Sequence, residues 1–388
     1  MTSDAPGTEP AGAAPRELRA HFGGEVLLIT GFPAARARAL VSVLAAREPA
    51  AELWLIVPPR ELEASARVLA ESALPRAQLR LIPGEPCAID LGVSRQVYDE
   101  LARRVDRWFS LYQTTDTRAP RDLCLRVNLG GAREVAELSK VAERLSHVTF
   151  LSSGAVFGDY QGLADESQLA IGQSFRSPAA ETLALAEAVL RRRLSEIPLS
   201  IVRTPQVLGV RQEGAPSWPT GLHRLLALVA AAPADGALPL PPGAQRAVQA
   251  LPADFVAEAL YAVSVLGTRG HTYHFADPEP PTLAQVLERA GTYFGKRFEQ
   301  GFDARSLGRL LFTNPGFWLS QQSSRALSEW AEGPELEARA GDRLLERAGL
   351  RAPALLGYLD AVLQQTEALI RERRLDERRV TTPFEVVA

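Results

Sequence analysis

Ser153 is the residue of this sequence best placed to act on a carbonyl group. It ends the apolar segment Phe150-Leu151-Ser152-Ser153, where a hydroxyl at the end of a strand could hold a carbonyl oxygen. Reduction of that carbonyl also needs a proton donor, and a tyrosine can serve as one if a lysine one helical turn later, on the same face of the helix, lowers its pKa. The chain has seven tyrosines but only two lysines, Lys140 and Lys296, and neither lies four residues after a tyrosine. The proton-donating pair is therefore missing.

A second candidate site is a glycine-containing loop that follows an apolar run. It reads Thr30-Gly31-Phe32-Pro33-Ala34-Ala35-Arg36-Ala37. A strand, a tight turn and a helix in this order hold the pyrophosphate of a dinucleotide at the helix N-terminus. Gly31 occupies the first glycine place of that pattern, while Ala34 and Ala37 occupy the second and third. The Ala34 methyl group lies where backbone must approach phosphate, and Pro33 lacks an N–H. The loop sequence therefore supports a Rossmann-like strand–turn–helix more strongly than it supports binding of a dinucleotide.

These residues are positioned by apolar runs that alternate with helical stretches. Strands are predicted at Val26–Ile29, Leu53–Val57, Leu79–Ile82, Arg107–Leu111, Val148–Leu151, Leu199–Val202 and Thr272–Phe275. Helices are predicted at 34–47, 61–72, 93–103, 132–144, 178–194, 253–266, 282–295 and 342–374. The alternation predicts βαβ units and an α/β fold with a doubly wound parallel sheet. The pattern becomes irregular after Thr204, which predicts a smaller mixed C-terminal lobe.

Segments spread along the chain resemble the extended short-chain dehydrogenase/reductases, and most closely their thioester-reductase and fatty-acyl reductase branch. The resembling segments are Thr30–Ala37, Gly84–Ser94, Asn128–Leu138, Phe150–Gly158, Ser200–Gly209 and Leu251–Ala257. Residues 1–24 are rich in Ala, Pro, Gly and Thr, a composition that predicts a disordered N-terminal arm. The resemblance implies a Rossmann-like NAD(P)-binding-type domain at 25–204 and a substrate-type lobe at 205–388. Within that lobe, residues 246–277 are expected to pack back on the Rossmann sheet.

The resemblance also assigns site residues. Ser153 takes the carbonyl-binding place, but Ala179 stands where the family has its catalytic tyrosine and Leu183 where it has its lysine. Neither replacement can donate a proton or carry a charge. The positions that match cofactor-binding places are Thr30, Gly31, Ala34, Ala37, Arg60, Glu85 and Asn128. Tyr112 and Gln113 follow the fourth strand, where the family has small residues, so they are expected to fill part of the cofactor groove.

Two of these residues have an alternative interpretation. Arg60 lies near the place of an arginine that reads a ribose 2′-phosphate, or it is a solvated loop arginine. Ser153 could be a hydrolase nucleophile, but its flanks do not form the GxSxG pattern, so a structural serine is preferred.

Composition narrows the remaining classes of function. With 43 basic and 46 acidic residues the net charge is −3, which gives no case for a nucleic-acid partner. No apolar run approaches the roughly 20 residues that cross a bilayer, so no membrane insertion is predicted. Cys87 and Cys124 form no CxxC pair, so neither a metal site nor a disulfide is predicted, and the cytoplasm fits best.

Together these features predict a pseudoenzyme: a non-catalytic relative that acts as a binding, scaffold or regulatory protein, with a protein partner or as a homodimer. No bound cofactor is predicted. The alternative is an NADP(H)-dependent reductase of a thioester, acyl or sugar-type substrate that uses Ser153 and a non-standard acid. A third possibility is an NADP(H) sensor without turnover. NADP(H) or NAD(H) would be the cofactor if the dinucleotide groove is open.

Overall fold

The structure, a computed structural model, describes residues 21–72, 74, 78–209, 221–232, 237–240, 243–299 and 334–372. The arm predicted at 1–24 lies outside this part as far as residue 20. The strands are β1 Val26–Thr30, β2 Glu52–Val57, β3 Leu79–Pro83, β4 Val105–Ser110, β5 His147–Ser153, β6 Leu163–Ala164, β7 Leu199–Thr204, β8 Gln206–Leu208, β9 Ala237–Pro239, β10 Ala250–Pro252, β11 Thr272–His274, β12 Arg297–Glu299 and β13 Glu335–Leu336. The helices are α1 Ala35–Arg47, α2 Leu62–Glu71, α3 Arg95–Arg104, α4 Arg121–Cys124, α5 Gly131–Val141, α6 Pro178–Arg191, α7 Gly221–Ala231, α8 Ala253–Leu266, α9 Leu283–Phe294, α10 Arg339–Ala348 and α11 Leu359–Arg371.

A seven-stranded parallel sheet in the order β11-β7-β5-β4-β1-β2-β3 forms the centre of the fold. All residues of β1 and β7 are buried, as expected for strands with helices on both faces. On one face, Leu40 of α1, Leu260 of α8 and Leu344 of α10 belong to one core. On the other, Leu101 of α3, Val135 of α5 and Leu190 of α6 belong to a second core. The predicted doubly wound α/β fold is confirmed.

The chain after residue 204 contributes to the sheet and also builds a separate core. β11 pairs with β7 as the seventh strand, and α8 packs on α1. A third apolar core joins α7, α9 and α11 through Leu226, Leu287 and Leu363. Where the domain boundaries fall stays a prediction. No helix in the described ranges is long and apolar enough to span a bilayer.

Two predicted helices have different bounds from those expected. The continuous helix predicted at 342–374 is wrong, because Gly349 adopts φ 64° after α10 and Pro353 follows before α11 begins. A left-handed glycine ends a helix, and proline prevents it from continuing. The helix predicted at 132–144 begins earlier, since α4 continues through a π-helical segment, Leu125–Gly130, into α5. Pro120, just before α4, is a start signal that could have indicated this extension.

Three histidines are buried at different places in this fold: His147 in β5, His223 in α7 and His274 in β11. Burial lowers the pKa of His147 and of His223 to about 4. Burial, together with the positive charge of Arg203, lowers the pKa of His274 to about 3. Each imidazole is therefore neutral in the folded protein at pH 5, where an exposed histidine would be charged.

These shifts predict that acid begins to destabilise the fold at pH values well above those at which ordinary carboxylates are protonated. Between pH 6.5 and about 4 the unfolded chain binds more protons at these histidines than the folded chain. Their contribution is therefore complete above pH 6.5 and is lost as the pH falls, by about 2 kcal/mol per histidine between pH 7 and 5. Glu61 has the opposite effect on the pH dependence of stability. Burial raises its pKa to about 7, so its contribution is present at low pH and is lost as the pH rises. In urea unfolding, the stability of His147→Asn should fall less steeply with decreasing pH than that of the wild type. The control His271→Asn, at an exposed position, should lose as much stability as the wild type does. Identical profiles for wild type and His147→Asn would contradict this assignment.

Candidate functional site

The strand order reverses between β1 and β4, which is where ligands bind in sheets of this kind. The loop after β1 and the segment after β4 lie in direct contact there. Gly31 has φ 96°, and a Cβ on it would lie 2.8 Å from both the carbonyl carbon and the carbonyl oxygen of Leu111. Only glycine permits this approach. Thr30, the residue before it, is buried, and its hydroxyl has no hydrogen-bond partner within the described ranges.

The first turn of α1 carries a partly buried arginine, Arg36. Ala34 supplies no side-chain cap, and its N–H donates to the Gly31 carbonyl at 3.0 Å. The Arg36 guanidinium donates to the backbone carbonyl of Gln113 at 2.8 Å, so it reaches from α1 to the segment after β4. Burial lowers the pKa of Arg36 to about 10. Ala37 is fully buried in the core under the helix.

Arg60, Glu85 and Tyr112 form a hydrogen-bonded triangle across the ends of β2, β3 and β4. The Arg60 guanidinium lies 2.5 Å from one Glu85 carboxylate oxygen, and the Tyr112 hydroxyl donates to the other at 2.6 Å. A second guanidinium nitrogen of Arg60 donates to the Tyr112 hydroxyl oxygen at 3.2 Å. The Arg60 side chain is 49% exposed, so it is a partly solvated loop residue whose charged group also has two specific partners. Tyr112 is only 4% exposed.

Electrostatics keep the acidic groups beside Glu85 protonated. Burial, and then the hydrogen bond to Glu85, raise the pKa of Tyr112 well above its usual value. Burial and the Glu85 charge raise the pKa of the Cys87 thiol to about 12. A catalytic phenol needs a pKa shifted towards neutrality, and a nucleophilic cysteine needs a thiolate. Neither Tyr112 nor Cys87 meets its requirement.

The positions assigned to the catalytic tyrosine and lysine lie in apolar packing. Ala179, near the start of α6, is 2% exposed in a cluster that contains Tyr112, Leu123, Cys124 and Val127. Leu183, one turn later, is 1% exposed in a different cluster. The other buried members of that second cluster are Val156, Phe157, Ala164 and Ala184. Both side chains are therefore almost fully shielded from solvent.

Ser153 and Asn128 have local structural partners. The Ser153 hydroxyl is half-buried and accepts a hydrogen bond from the Ala155 N–H at 3.2 Å, which caps the turn after β5. The Asn128 carbonyl oxygen accepts from the Thr114 N–H at 2.8 Å, and its amide nitrogen donates to the Thr182 hydroxyl at 2.9 Å. Asn128 thus joins the segment after β4 to α6. Its polar atoms are occupied by protein groups.

A buried ionic network beside this site escaped the sequence analysis. Arg203 of β7 and Glu187 of α6 are both fully buried and lie 2.7 Å apart. The Ser152 hydroxyl also donates to Glu187, and a further nitrogen of Arg203 lies 3.0 Å from Nε2 of His274. An arginine within an otherwise apolar strand is the signal that could have revealed it, because buried charges require partners.

A parallel sheet that reverses its strand order at a glycine turn defines a Rossmann-like fold of the extended short-chain dehydrogenase/reductase class. The family model described as "Male sterility protein", an NAD-binding family, matches residues 29–260. The chain belongs to that family, and the class that the sequence resembled is confirmed. A comparison with curated protein sequences gives no significant match.

Solved structures with this fold include reductase domains and sugar-nucleotide enzymes. The terminal R domain from the myxalamid PKS-NRPS biosynthetic pathway is 18% identical with a TM-score of 0.75, over 92% of this chain and 94% of that one. The reductase domain of a nonribosomal peptide synthetase from Mycobacterium tuberculosis is 17% identical, with a TM-score of 0.67, over 92% and 94%. UDP-glucuronic acid 4-epimerase from Bacillus cereus in complex with NAD is 15% identical, with a TM-score of 0.61, over 89% and 99%.

The family is an NAD-binding one, but several residues at the switch point of this chain are unfavourable for a dinucleotide. The Ala34 methyl group and the missing N–H of Pro33 weaken the pyrophosphate end of the site. Arg36 reaches across the loop to Gln113. The Arg60–Glu85–Tyr112 triangle joins the strand ends against which a dinucleotide would lie. No catalytic step through a nicotinamide therefore follows from this geometry.

Proposed function

We propose that this protein is a non-catalytic member of its family that acts as a binding or scaffold protein. The observation that carries the proposal is the packing around Ala179. At the place of the proton donor, the chain puts a methyl group inside an apolar cluster that includes the Tyr112 ring. A site for carbonyl reduction needs a polar, accessible acid next to the substrate, and the described residues around Ala179 provide none.

Two further observations support the proposal. Leu183 places an aliphatic side chain, 1% exposed, where the family has a cation. Three polar groups at the strand ends satisfy one another, since Glu85 accepts from Arg60 and Tyr112. A fold can keep its core after its site has lost its chemistry, because most of its stability comes from buried apolar surface.

The rival function is an NADP(H)-dependent reductase of a thioester, acyl or sugar-type substrate. Arg60 is the observation in its favour, since it lies after β2, where an arginine can bind a ribose 2′-phosphate. To do so Arg60 would have to exchange Glu85 and Tyr112 for the phosphate. An NADP(H) sensor without turnover would need only that exchange.

A turnover assay separates the two functions. Purified protein is incubated with NADPH or NADH and with thioester, aldehyde or keto-sugar substrates, while oxidation of the cofactor is followed at its absorbance maximum. The proposal predicts a rate equal to that of Ser153→Ala and of buffer. Turnover that Ser153→Ala abolishes would establish the reductase and remove the proposal.

A further inference from the structure

A surface groove of about 480 Å³ lies between α3 and α5. It shares no lining residue with the polar triangle or with the clusters around Ala179 and Leu183. Tyr98 and Ala102 line it from α3, and Glu137 and Val141 line it from α5. In each pair the residues are four apart, so each helix presents one continuous stripe to the groove. Two neighbouring helices that expose such stripes form the kind of channel in which a third helix can lie.

Two aliphatic side chains at this groove are exposed to an unusual degree. Ile89, at one end, is 85% exposed, and Val141 is 53% exposed. The turn that carries Ile89 is fixed by its neighbours: Leu91 is fully buried, and its N–H donates to the Glu134 carboxylate at 3.3 Å. Exposed aliphatic groups that line a concave surface indicate an interaction site more often than isolated ones do.

The groove also carries unneutralised negative charge. Five carboxylates line it against two arginines. Among the described residues, Asp90, Glu134 and Glu143 have no ion pair, whereas Asp99 is paired with Arg95. Burial raises the pKa of Glu134, and the nearby charges of Asp90 and Glu137 raise it further. A cationic partner would relieve this repulsion.

We propose that the groove docks an amphipathic helix of a partner protein. An aliphatic residue of that helix packs against Ile89 and Val141, and lysines or arginines beside it face Asp90, Glu134 and Glu143. A second copy of the chain fits less well, because a two-fold contact through this face would bring five carboxylates against five. The inference extends the proposed binding function by naming the chemistry of the partner, and it rests on that function for its biological meaning.

The test uses a fluorescein-labelled amphipathic peptide of about 16 residues, long enough to form a helix, with leucine every third or fourth position and arginine beside it. Fluorescence anisotropy measures its affinity for the full chain. Ile89→Asp is the decisive variant, because it removes the apolar contact while making the groove more acidic. We expect Ile89→Asp to weaken binding about tenfold and Glu143→Arg to weaken it similarly. The matched controls are Leu356→Asp and Glu288→Arg, which make the same kinds of change, aliphatic to acidic and acidic to basic, at exposed positions outside the groove. Both variants should bind the peptide as tightly as the wild type does.

Three results would overturn the proposal. A scrambled peptide of the same composition could bind equally well, or Ile89→Asp could bind the peptide more tightly, and either would reduce the effect to unspecific charge attraction. Sedimentation could instead show a dimer that Ile89→Asp dissociates, which would assign the groove to a second copy. Thermal unfolding checks that each variant is folded. Failure of the peptide to bind would overturn the docking proposal as well. It would leave the non-catalytic assignment to its own tests, because cofactor titration and turnover do not involve the groove.

Discussion

The double substitution Ala179→Tyr with Leu183→Lys is expected to unfold much of the protein and to restore no activity. Tyrosine at a position that is 2% exposed must displace the cluster around Tyr112, which typically costs about 1–3 kcal/mol. Lysine at Leu183 puts an ammonium group among Val156, Phe157 and Ala164, which adds several kcal/mol. Urea unfolding should show a total loss of more than about 4 kcal/mol. Adding Ala34→Gly should not rescue hydride transfer, since the Arg60–Glu85–Tyr112 triangle remains.

Leu185→Lys is the matched control for this experiment. Leu185 lies on the same helix and is 40% exposed, so the same substitution there should change the free energy of unfolding by less than about 0.5 kcal/mol. A double variant that is as stable as wild type and that oxidises NADPH would mean that the apolar packing is adaptable. The site would then have lost only its two catalytic side chains.

Arg203→Met is expected to destabilise the fold by about 3–5 kcal/mol, because it removes the guanidinium that lies 2.7 Å from the fully buried Glu187 carboxylate. The remaining partners are the neutral Ser152 hydroxyl and the Arg191 guanidinium, whose nearest nitrogen lies 3.8 Å from Glu187 and compensates the charge only in part. Adding Glu187→Leu should recover much of the loss, since replacing a buried ion pair by apolar groups is often close to neutral. The measurement is the free energy of unfolding in urea at pH 7.

An exposed ion pair serves as the control for Arg203. Arg289 and Asp360 are each 55% exposed and lie 2.5 Å apart. Arg289→Met should cost no more than about 1 kcal/mol, because solvent screens such pairs. If Arg203→Met costs as little as Arg289→Met, water reaches Glu187 and the network does not stabilise the core.

The fold could be predicted because its decisive features are local in sequence. Strands buried on both faces, such as β1, are almost entirely apolar runs, and each helix between the strands has its own apolar stripe. The π-helical segment Leu125–Gly130 interrupts the periodicity of the helix that begins at Arg121, so only Pro120 indicates its start. The break after Gly349 was missed although glycine and Pro353 both indicate it.

The site could be predicted only in part. The loss of the tyrosine and lysine at positions 179 and 183 is visible in the sequence, and Tyr112 was expected near the groove. The polar triangle was not foreseen, because it joins residues 25, 27 and 52 positions apart. The Arg203–Glu187 pair likewise depends on how α6 packs against β7. Contacts of this kind are set by the packing of whole elements, and spacing along the chain does not encode them.

Titration calorimetry of the wild-type protein with NADPH and with NADH shows whether the dinucleotide groove is open. If the chain's own side chains occupy the switch point, neither dinucleotide should release measurable heat at concentrations up to about 1 mM. Tyr112→Ala, which removes the phenol between Arg60 and Glu85, should be the variant in which weak binding first becomes detectable. Micromolar binding of either dinucleotide to the wild type would contradict the account and would show that the groove is open.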